Sequence, residues 1–228
     1  MRGFFFVIKF LTMTLSQTNC KQIFREAYEN RYTWPSEFNG YKGKCIFISE
    51  KEKLKGDFSV GKNFKPLVTN IANESVKNVI TSQLFEVVIH RVKRSFDETH
   101  SENDFQFETN TQEGMQMIVI GKNEGDKYRV KDKAINMVNR RMHGLIIEIF
   151  VEKFIDTKNG LLSQKYSSIQ IDQQTLKPKS PKMYYEDEFF NIEGNYWFLG
   201  KRTIKYLNQL NEQVVDKFIF EELSLLKS

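Results

Sequence analysis

The chain has 228 residues, of which 40% are hydrophobic and 28% are charged. This length and composition are typical of a folded, soluble protein and argue against a disordered or membrane-embedded chain. The net charge of +5 is distributed over short, separated basic groups, whereas a dedicated nucleic-acid binder concentrates its cations on one face. Specific binding of nucleic acid is therefore not expected.

The N-terminal segment, residues 1–17, is rich in phenylalanine and contains no acidic residue. Its apolar stretch is interrupted by a lysine and is too short to span a bilayer. No small-residue cleavage site for a signal peptidase follows it. We expect this segment to be disordered or to target the protein to an organelle, and we expect residues 18–228 to form a single α+β domain.

Two elements are predicted in the first third of the chain. Apolar residues recur at intervals of three and four between Thr18 and Tyr32, which indicates a first helix. Between Tyr41 and Phe64 apolar and polar residues alternate, as they do in half-buried strands. We therefore expect a hairpin in this second stretch.

A second helix is the clearest element in the sequence. It is predicted to begin at Asn73, whose side chain can cap the first turn. It should run for about 24 residues, or roughly 36 Å at about 1.5 Å per residue. Its apolar residues repeat every four positions and form one stripe, which consists of Val76, Ile80, Leu84, Val88, Val92 and Phe96.

From Asp104 to the C-terminus the pattern changes to strands separated by short turn sequences such as NEGD, TKNG and IEGN. Short sequential connections predict an antiparallel meander. We therefore predict an α+β fold with a large curved antiparallel β-sheet, an incomplete barrel. The long amphipathic helix should cover this sheet, and the first helix should lie N-terminal to the long one.

The predicted fold has an aromatic-rich concavity between the sheet and the long helix. Such a concavity can hold an apolar molecule when the protein's own side chains do not fill it. We therefore expect a non-catalytic protein that binds a lipid, a pigment or a hydrophobic protein segment and uses no cofactor. The candidate groove residues are Leu84, Val88, Val92, Phe96, Phe105, Phe107, Tyr185 and Trp197.

A second hypothesis is an assembly factor that contacts a protein partner through a basic surface patch. The sequence groups RVKR and NRRMH supply the cations, and such a patch is also compatible with peripheral contact with a membrane. The oligomeric state stays open. The candidate patch residues are His90, Arg91, Lys93, Arg94, Arg140, Arg141 and His143.

A third hypothesis is a hydrolase or isomerase that uses His90 or His143 with a carboxylate. The sequence offers little support, because it contains no G-x-S-x-G, no phosphate-binding glycine loop and no H-E-x-x-H. The three histidines, which include His100, also lack the spacing of a metal site. Cys20 and Cys45 lie outside any C-x-x-C spacing, so we expect buried thiols rather than zinc ligands.

The sequence YYEDEFF contains three adjacent carboxylates. On a strand, Glu186 and Glu188 lie on one face and Asp187 on the other. Paired carboxylates can divide acid and base chemistry, but we interpret this pair as a solvent-facing one that meets the cations of GKRTIK on a neighbouring strand. We therefore assign no catalytic residue.

Four segments of the chain resemble an uncharacterised domain-of-unknown-function family of cyanobacteria and plastid-bearing eukaryotes. They are FREAYENRYTWPSEFNGYKG, QLFEVVIHRVKRSFDETH, NEGDKYRVKDKAINMVNRRMHG and YYEDEF, and the resemblance extends from about Cys20 to Leu225. It implies a plastid location, in the chloroplast stroma or at the thylakoid surface, but no activity, cofactor or catalytic residue. The order of elements is also similar to the half-barrel of periplasmic lipoprotein carriers, which implies acyl-chain binding between a curved sheet and helices.

Overall fold

The computed structural model describes residues 20–227. The predicted targeting segment, residues 1–17, lies outside them. Among the described residues, helix α1 covers residues 20–29, α2 is Glu74–Arg91 and α3 is Phe96–His100. The strands are β1 Gly40–Ile48, β2 Lys53–Gly61, β3 Pro66–Thr69, β4 Asn103–Thr111, β5 Gly114–Gly121, β6 Lys127–Lys131, β7 Ala134–Met142, β8 Leu145–Asp156, β9 Leu161–Asp172, β10 Met183–Ile192, β11 Tyr196–Leu207 and β12 Gln213–Leu225.

The strands form a twelve-stranded antiparallel sheet in the order β3-β2-β1-β12-β11-β10-β9-β8-β7-β6-β5-β4. From β4 to β12 each strand lies beside the next one in the sequence, which is the meander that the short turns predict. β1 pairs with β12. The hairpin expected between Tyr41 and Phe64 is formed by β1 and β2.

The predicted fold class, an α+β fold whose sheet is covered by a long amphipathic helix, is wrong. The described structure is mostly sheet, and its three helices are short. α2 contains 18 residues and ends at Arg91, although the apolar repeat continues to Phe96. Val79, Phe85 and Ile89 of α2 are each at least 40% exposed, so this helix has apolar side chains on its outer side as well as its inner side.

α2 ends early because a new helix starts shortly after it. Val92 is already extended, with φ −65° and ψ 123°. Ser95 then begins α3 with a capping box, in which its hydroxyl accepts a hydrogen bond from the backbone N–H of Glu98. The Glu98 carboxylate in turn accepts a bond of 2.7 Å from the backbone N–H of Ser95. This reciprocal capping stabilises a helix start and thereby interrupts the four-residue repeat.

The described residues group into two compact units. The first unit contains residues 20–31, 94–162 and 167–181. The second unit contains residues 32–93, 163–166 and 182–227. That residues 18–228 form a single domain stays a prediction.

The core of the first unit joins α1 and α3 to the strands that follow them. Phe24 of α1 stacks on Phe105 of β4, with ring centroids 4.3 Å apart, and also packs against Phe96 of α3. His100 of α3 lies among these rings and is 6% exposed. The buried residues of this core are Cys20, Phe24, Ala27, Tyr28, Phe96, Phe105, Met117, Val119, Tyr128 and Val130.

The second unit contains α2, which contacts strands β1 and β3. The Asn73 side chain caps α2 as expected, because it accepts hydrogen bonds from the backbone N–H groups of Ser75 and Val76. The buried residues of α2 are Val76, Ile80, Leu84, Val87, Val88 and Arg91. Arg91 is the charged member of this otherwise apolar set.

Candidate functional site: a buried charged cluster in the second unit

Arg202 and Asp187 form a buried ion pair in the second unit. They are directly paired residues on β11 and β10, so their side chains lie on the same face of the sheet. Arg202 Nε donates to Asp187 Oδ1 at 2.8 Å, and Arg202 Nη2 donates to Asp187 Oδ2 at 2.7 Å. The two side chains are 3% and 2% exposed. This bidentate geometry is the strongest form of an arginine–carboxylate contact.

Polar side chains of α2 extend this ion pair toward the helix. Arg202 Nη1 donates to Gln83 Oε1 at 3.0 Å and lies 3.3 Å from Glu86 Oε2. The hydroxyl of Tyr166 donates to Glu86 Oε1 at 3.1 Å. The helix is therefore held to β9 and β11 by hydrogen bonds and charge, in addition to its apolar contacts.

Aromatic rings flank the Arg202 guanidinium. Tyr166 and Tyr185 are stacked, with centroids 4.5 Å apart and planes inclined by 4°. The Arg202 Cζ atom lies 5.8 Å and 5.4 Å from their ring centroids, within the range of a cation–π interaction. Burial raises the pKa of Tyr166 well above its ordinary value. Burial lowers the pKa of Arg202, but Asp187, Tyr166 and Glu86 together outweigh this effect and raise the pKa well above its ordinary value.

Arg91, at the C-terminal end of α2, is the second buried guanidinium. It is 9% exposed, yet no carboxylate of the described residues lies within ion-pair distance of it. Its Nη1 donates to the carbonyl of His90 at 3.4 Å, and no described residue forms a hydrogen bond with its Nε. Its Cζ lies 5.8 Å from the Phe189 ring centroid. Burial lowers the pKa of Arg91 to about 10, although the charge of Asp187 acts in the opposite direction.

We call Gln83, Glu86, Arg91, Tyr166, Asp187 and Arg202 the buried charged cluster. A wall of aromatic rings connects with it at Arg91, whose backbone carbonyl accepts a hydrogen bond of 2.8 Å from the Trp34 N–H. Trp34 stacks on Phe38 with centroids 4.3 Å apart, and Tyr41 stacks on Phe198 at the same distance. We call Trp34, Phe38, Tyr41, Phe58 and Phe198 the aromatic wall.

The predicted groove residues divide between the two units. In the second unit Leu84 and Val88 are buried, whereas Val92, Tyr185 and Trp197 are partly buried. In the first unit Phe96 and Phe105 belong to the core, and Phe107 is 42% exposed. Leu84 and Val88 project from α2 into the second unit's core, and Tyr185 lies beside the buried charged cluster. That these residues bind a ligand stays a prediction.

The predicted basic patch residues also divide between the units. His90 and Lys93 are exposed in the second unit, where Arg91 is buried. In the first unit the remaining members are exposed, and they are Arg94, Arg140, Arg141 and His143. Arg140 Nε lies 3.4 Å from the buried carboxylate of Asp126. A partner for this patch stays a prediction.

His100 and the carboxylates of YYEDEFF contact other side chains of their own unit. His100 is buried in the first unit, where its Nδ1 lies 3.1 Å from Asn103 Nδ2. Glu188 pairs with Lys201 of the predicted GKRTIK segment at 2.6 Å, and Glu186 pairs with Lys165 at 3.1 Å. Among residues 20–227, no three His, Cys, Asp or Glu side chains come together as metal ligands.

Sequence reasoning missed the buried charged cluster. The signal was present, because strand alternation places Asp187 on the face opposite to Glu186 and Glu188, and a charge on the inner face of a strand requires a buried partner. The identity of that partner could not be read from the sequence, because it depends on the register between β10 and β11. The burial of Arg91 could not be predicted from the sequence, because cations at a helix C-terminus are ordinarily solvated.

The first unit contains a groove of about 360 Å³ at the ends of two hairpins and one side of α1. Its apolar lining residues are Ile23, Met115 and Val130, and the rest of its lining is polar, charged or turn backbone. An ion pair of 3.6 Å between Lys133 and Glu26 lies at its edge. The described lining of this groove contains no aromatic residue, so we place the candidate site for an apolar ligand in the second unit.

Comparisons with known proteins place the chain in a family but supply no activity. Residues 15–226 match the profile of a family described as "Protein of unknown function (DUF3386)". No curated protein sequence matches the chain. Among the residues that the structure describes, no helix combines the length and apolar composition needed to cross a membrane.

Two solved structures are similar to the chain over nearly their whole length. One is a DUF1329 family protein from Desulfovibrio piger, with 9% identity, 92% of this chain and 93% of that chain covered, and a TM-score of 0.30. The other is a LolA superfamily protein from Nitrosomonas europaea, with 10% identity and a TM-score of 0.27. This similarity covers 92% of the present chain and 94% of the Nitrosomonas chain.

Proposed function

Because the chain belongs to the DUF3386 family of proteins of unknown function, we propose its role from the geometry of its second unit. The expected membership of a domain-of-unknown-function family is thereby confirmed. We propose that the protein is a non-catalytic binding protein for a hydrophobic molecule or a hydrophobic protein segment. The ligand would lie between α2 and the aromatic wall. The observation that carries this proposal is the aromatic wall itself.

The aromatic wall supports binding of an apolar chain because flat rings offer a large contact area to a ligand. Trp34, Phe38 and Phe198 are each at most 2% exposed, and they contact one another at centroid distances of 4.3 to 6.1 Å. Ligand pockets of proteins are typically lined by such residues with a few polar groups among them. The buried charged cluster supplies those polar groups in this unit.

α2 is the element that could move to admit a ligand. Gln83 and Glu86 attach it to Arg202 and Tyr166 by polar contacts, and water can replace such contacts when the helix shifts. The inner side chains Leu84 and Val88 fill the space in the described structure. A bound apolar chain would replace the contacts that Leu84 and Val88 make. Little apolar surface would then become exposed to water when the helix moves.

The outer side of α2 supports the same movement. Phe85 and Ile89 lie one turn apart and are 49% and 41% exposed. A helix that carries apolar side chains on both sides can shift or rotate while it still presents an apolar surface to the sheet or to the ligand. An ordinary surface helix would have to bury polar side chains in the same movement.

The proposal is tested with the neutral fluorescent probe N-phenyl-1-naphthylamine and the full chain. The protein should bind the probe with a saturable rise in fluorescence. Val88→Phe should reduce probe binding severalfold because the larger ring occupies the ligand's space, whereas Val79→Phe, on the exposed side of the same helix, should leave binding unchanged. Far-ultraviolet circular dichroism checks that both variants fold.

A second arm of the test uses the protein as its native host makes it. Organic extraction followed by mass spectrometry should recover a hydrophobic molecule in amounts comparable with the protein. No saturable probe binding together with no co-purified apolar molecule would overturn the proposal. Equal loss of binding in the two variants would show that the probe binds outside the space between α2 and the aromatic wall.

A further inference from the structure

Arg91 has an unmet requirement for an acceptor. Its guanidinium is buried, and its Nε–H has no partner among residues 20–227. Its Nη1 donates to the neighbouring carbonyl of His90 in a hydrogen bond that is long, at 3.4 Å. A buried donor without an acceptor is costly, and a buried cation without a counter-ion is more so. Such a group in a folded protein requires an explanation, and one explanation is a bound molecule or ion that accepts its hydrogen bond.

Tyr41, in the aromatic wall, has the same requirement. Its side chain is 1% exposed, and its hydroxyl has no hydrogen-bond partner among the described residues. Burial raises the pKa of Tyr41, and the charge of Arg91 acts on this hydroxyl in the opposite direction. Trp34 contacts both residues, because its backbone N–H donates to the Arg91 carbonyl at 2.8 Å and its ring centroid lies 5.7 Å from that of Tyr41. The Arg91 Nε–H and the Tyr41 hydroxyl, which both lack an acceptor among the described residues, therefore belong to the same part of the second unit.

The other charges around Arg91 are already committed. Asp187 binds Arg202 through both of its oxygens. Glu86 binds Arg202 and the Tyr166 hydroxyl, and its side chain is 35% exposed, so water screens part of its charge. Asp187 raises the pKa of Arg91 and Arg202 lowers it, so the charges of these two groups act on Arg91 in opposite directions. Arg91 is thus the group of the buried charged cluster that can accept a new anion.

We propose that the Arg91 guanidinium and the Tyr41 hydroxyl bind the carboxylate of a fatty-acid-like amphiphile. The inference rests on the proposed function, because the alkyl chain of this ligand occupies the space between α2 and the aromatic wall. The head group accepts hydrogen bonds from Arg91 and Tyr41, and the chain takes the contacts of Leu84 and Val88. The ligand class is a long-chain monocarboxylate.

A carboxylate suits this site better than a phosphate monoester. A carboxylate has one negative charge on two coplanar oxygens, which matches one planar guanidinium. A phosphate monoester has between one and two negative charges near neutral pH, and the second would face Asp187 without a free cation to balance it. A cationic or neutral head group would leave the two donors unsatisfied.

The test compares dodecanoate with dodecan-1-ol, which have the same chain length and differ in the charge of the head group. Each is titrated below its aggregation limit, at pH 8, against the full chain loaded with N-phenyl-1-naphthylamine. In Arg91→Met the ratio of dodecanoate affinity to dodecanol affinity should fall by about tenfold or more, since a charge-assisted hydrogen bond is lost. Dodecanol affinity should stay within about twofold of its wild-type value, which also shows that the variant is folded.

Two further variants make the test specific. Tyr41→Phe, which removes one hydroxyl, should lower the same ratio by roughly threefold to tenfold. Lys93→Met, which removes an exposed cation two residues from Arg91, should leave the ratio unchanged. An equal effect of Lys93→Met and Arg91→Met would overturn the inference, because it would indicate long-range attraction rather than a head-group site.

The outcomes separate this inference from the proposed function. If wild-type protein binds neither amphiphile, the proposed function fails and the inference fails with it. If wild-type protein binds both, and Arg91→Met leaves the ratio of affinities unchanged, the head-group inference fails and the proposed function stands. A fall of the ratio in Arg91→Met and Tyr41→Phe, but not in Lys93→Met, supports both.

Discussion

Arg202 and Asp187 are paired across β10 and β11 and form two hydrogen bonds of 2.8 Å and 2.7 Å, with both side chains at most 3% exposed. A buried ion pair of this kind adds little to stability compared with a well-packed apolar pair, because both ions lose their hydration. Its further contacts, from Arg202 to Gln83 and Glu86, attach α2 to β11.

Removal of one member of this pair should be strongly destabilising. In Asp187→Asn the guanidinium of Arg202 stays buried without a full counter-charge, so the free energy of unfolding should fall by about 3–5 kcal/mol. The matched control is Glu188→Gln, which removes an exposed carboxylate paired with Lys201 and should cost less than about 1 kcal/mol. Urea unfolding of both variants measures the difference. Equal losses in the two variants would contradict a buried, committed pair.

Arg91 should behave in the opposite way. Arg91→Met removes a buried charge that has no counter-ion in the part of the chain that the structure describes, and it replaces this charge with an apolar side chain of similar length. We expect the free energy of unfolding of the ligand-free protein to rise by roughly 1–3 kcal/mol. Lys93→Met, at an exposed position, should change it by less than about 0.5 kcal/mol. A marked loss of stability in Arg91→Met would mean that the guanidinium has a structural partner in the folded chain.

His100 should make the stability of the first unit depend on pH. Burial, together with the charges of Arg140 and Arg31, lowers the pKa of this imidazole from an ordinary 6.5 to about 4. The unfolded chain therefore binds a proton at pH values where the folded chain does not. The stability that the neutral imidazole contributes is complete above about pH 6.5 and is lost as the pH falls toward 4.

The melting temperature, measured from pH 8 to pH 4.5, checks this expectation. It should fall through this range in the wild-type protein and in His143→Gln, whose histidine is exposed. In His100→Gln the fall should be clearly smaller, whatever the melting temperature of that variant at pH 8. Identical pH profiles for His100→Gln and the wild type would show that another group is responsible.

The plastid location inferred from the family resemblance stays a prediction, and it concerns a segment outside the described residues. Residues 1–17 fused to a fluorescent protein should direct it to plastids of a photosynthetic host cell. A fusion in which Arg2 and Lys9 are replaced by glutamate serves as the control, because added acidic residues are unfavourable in transit peptides. Diffuse fluorescence from the unchanged fusion would contradict the predicted location.

The strands were predictable because their signals are local. Alternation of apolar and polar residues and short turn sequences indicate antiparallel neighbours without knowledge of the remaining chain, and β4 to β12 follow one another accordingly. The length of α2 was not predictable from periodicity. The same four-residue spacing continues through Val92 to Phe96, while the capping box at Ser95 determines where a new helix begins.

The candidate site was only partly predictable, because it depends on contacts between distant segments. The sequence identified Leu84 and Val88 as inward-facing residues of a helix, and both are buried. It could not show that Phe96 and Phe105 belong to a different compact unit from Tyr185 and Trp197. Likewise, the low exposure of Arg91 results from its contacts with Trp34 and Phe189, which lie about 60 and 100 residues away in sequence.

The most direct test of ligand binding in the second unit is photolabelling with a diazirine derivative of dodecan-1-ol, whose neutral head group makes the result independent of the Arg91 inference. After irradiation of the full chain and proteolysis, mass spectrometry should locate the label on α2 near Leu84 and Val88 or on residues of the aromatic wall. An excess of unlabelled dodecanol should abolish this labelling. Labelling confined to the first unit, or scattered over exposed residues and insensitive to competitor, would contradict the account.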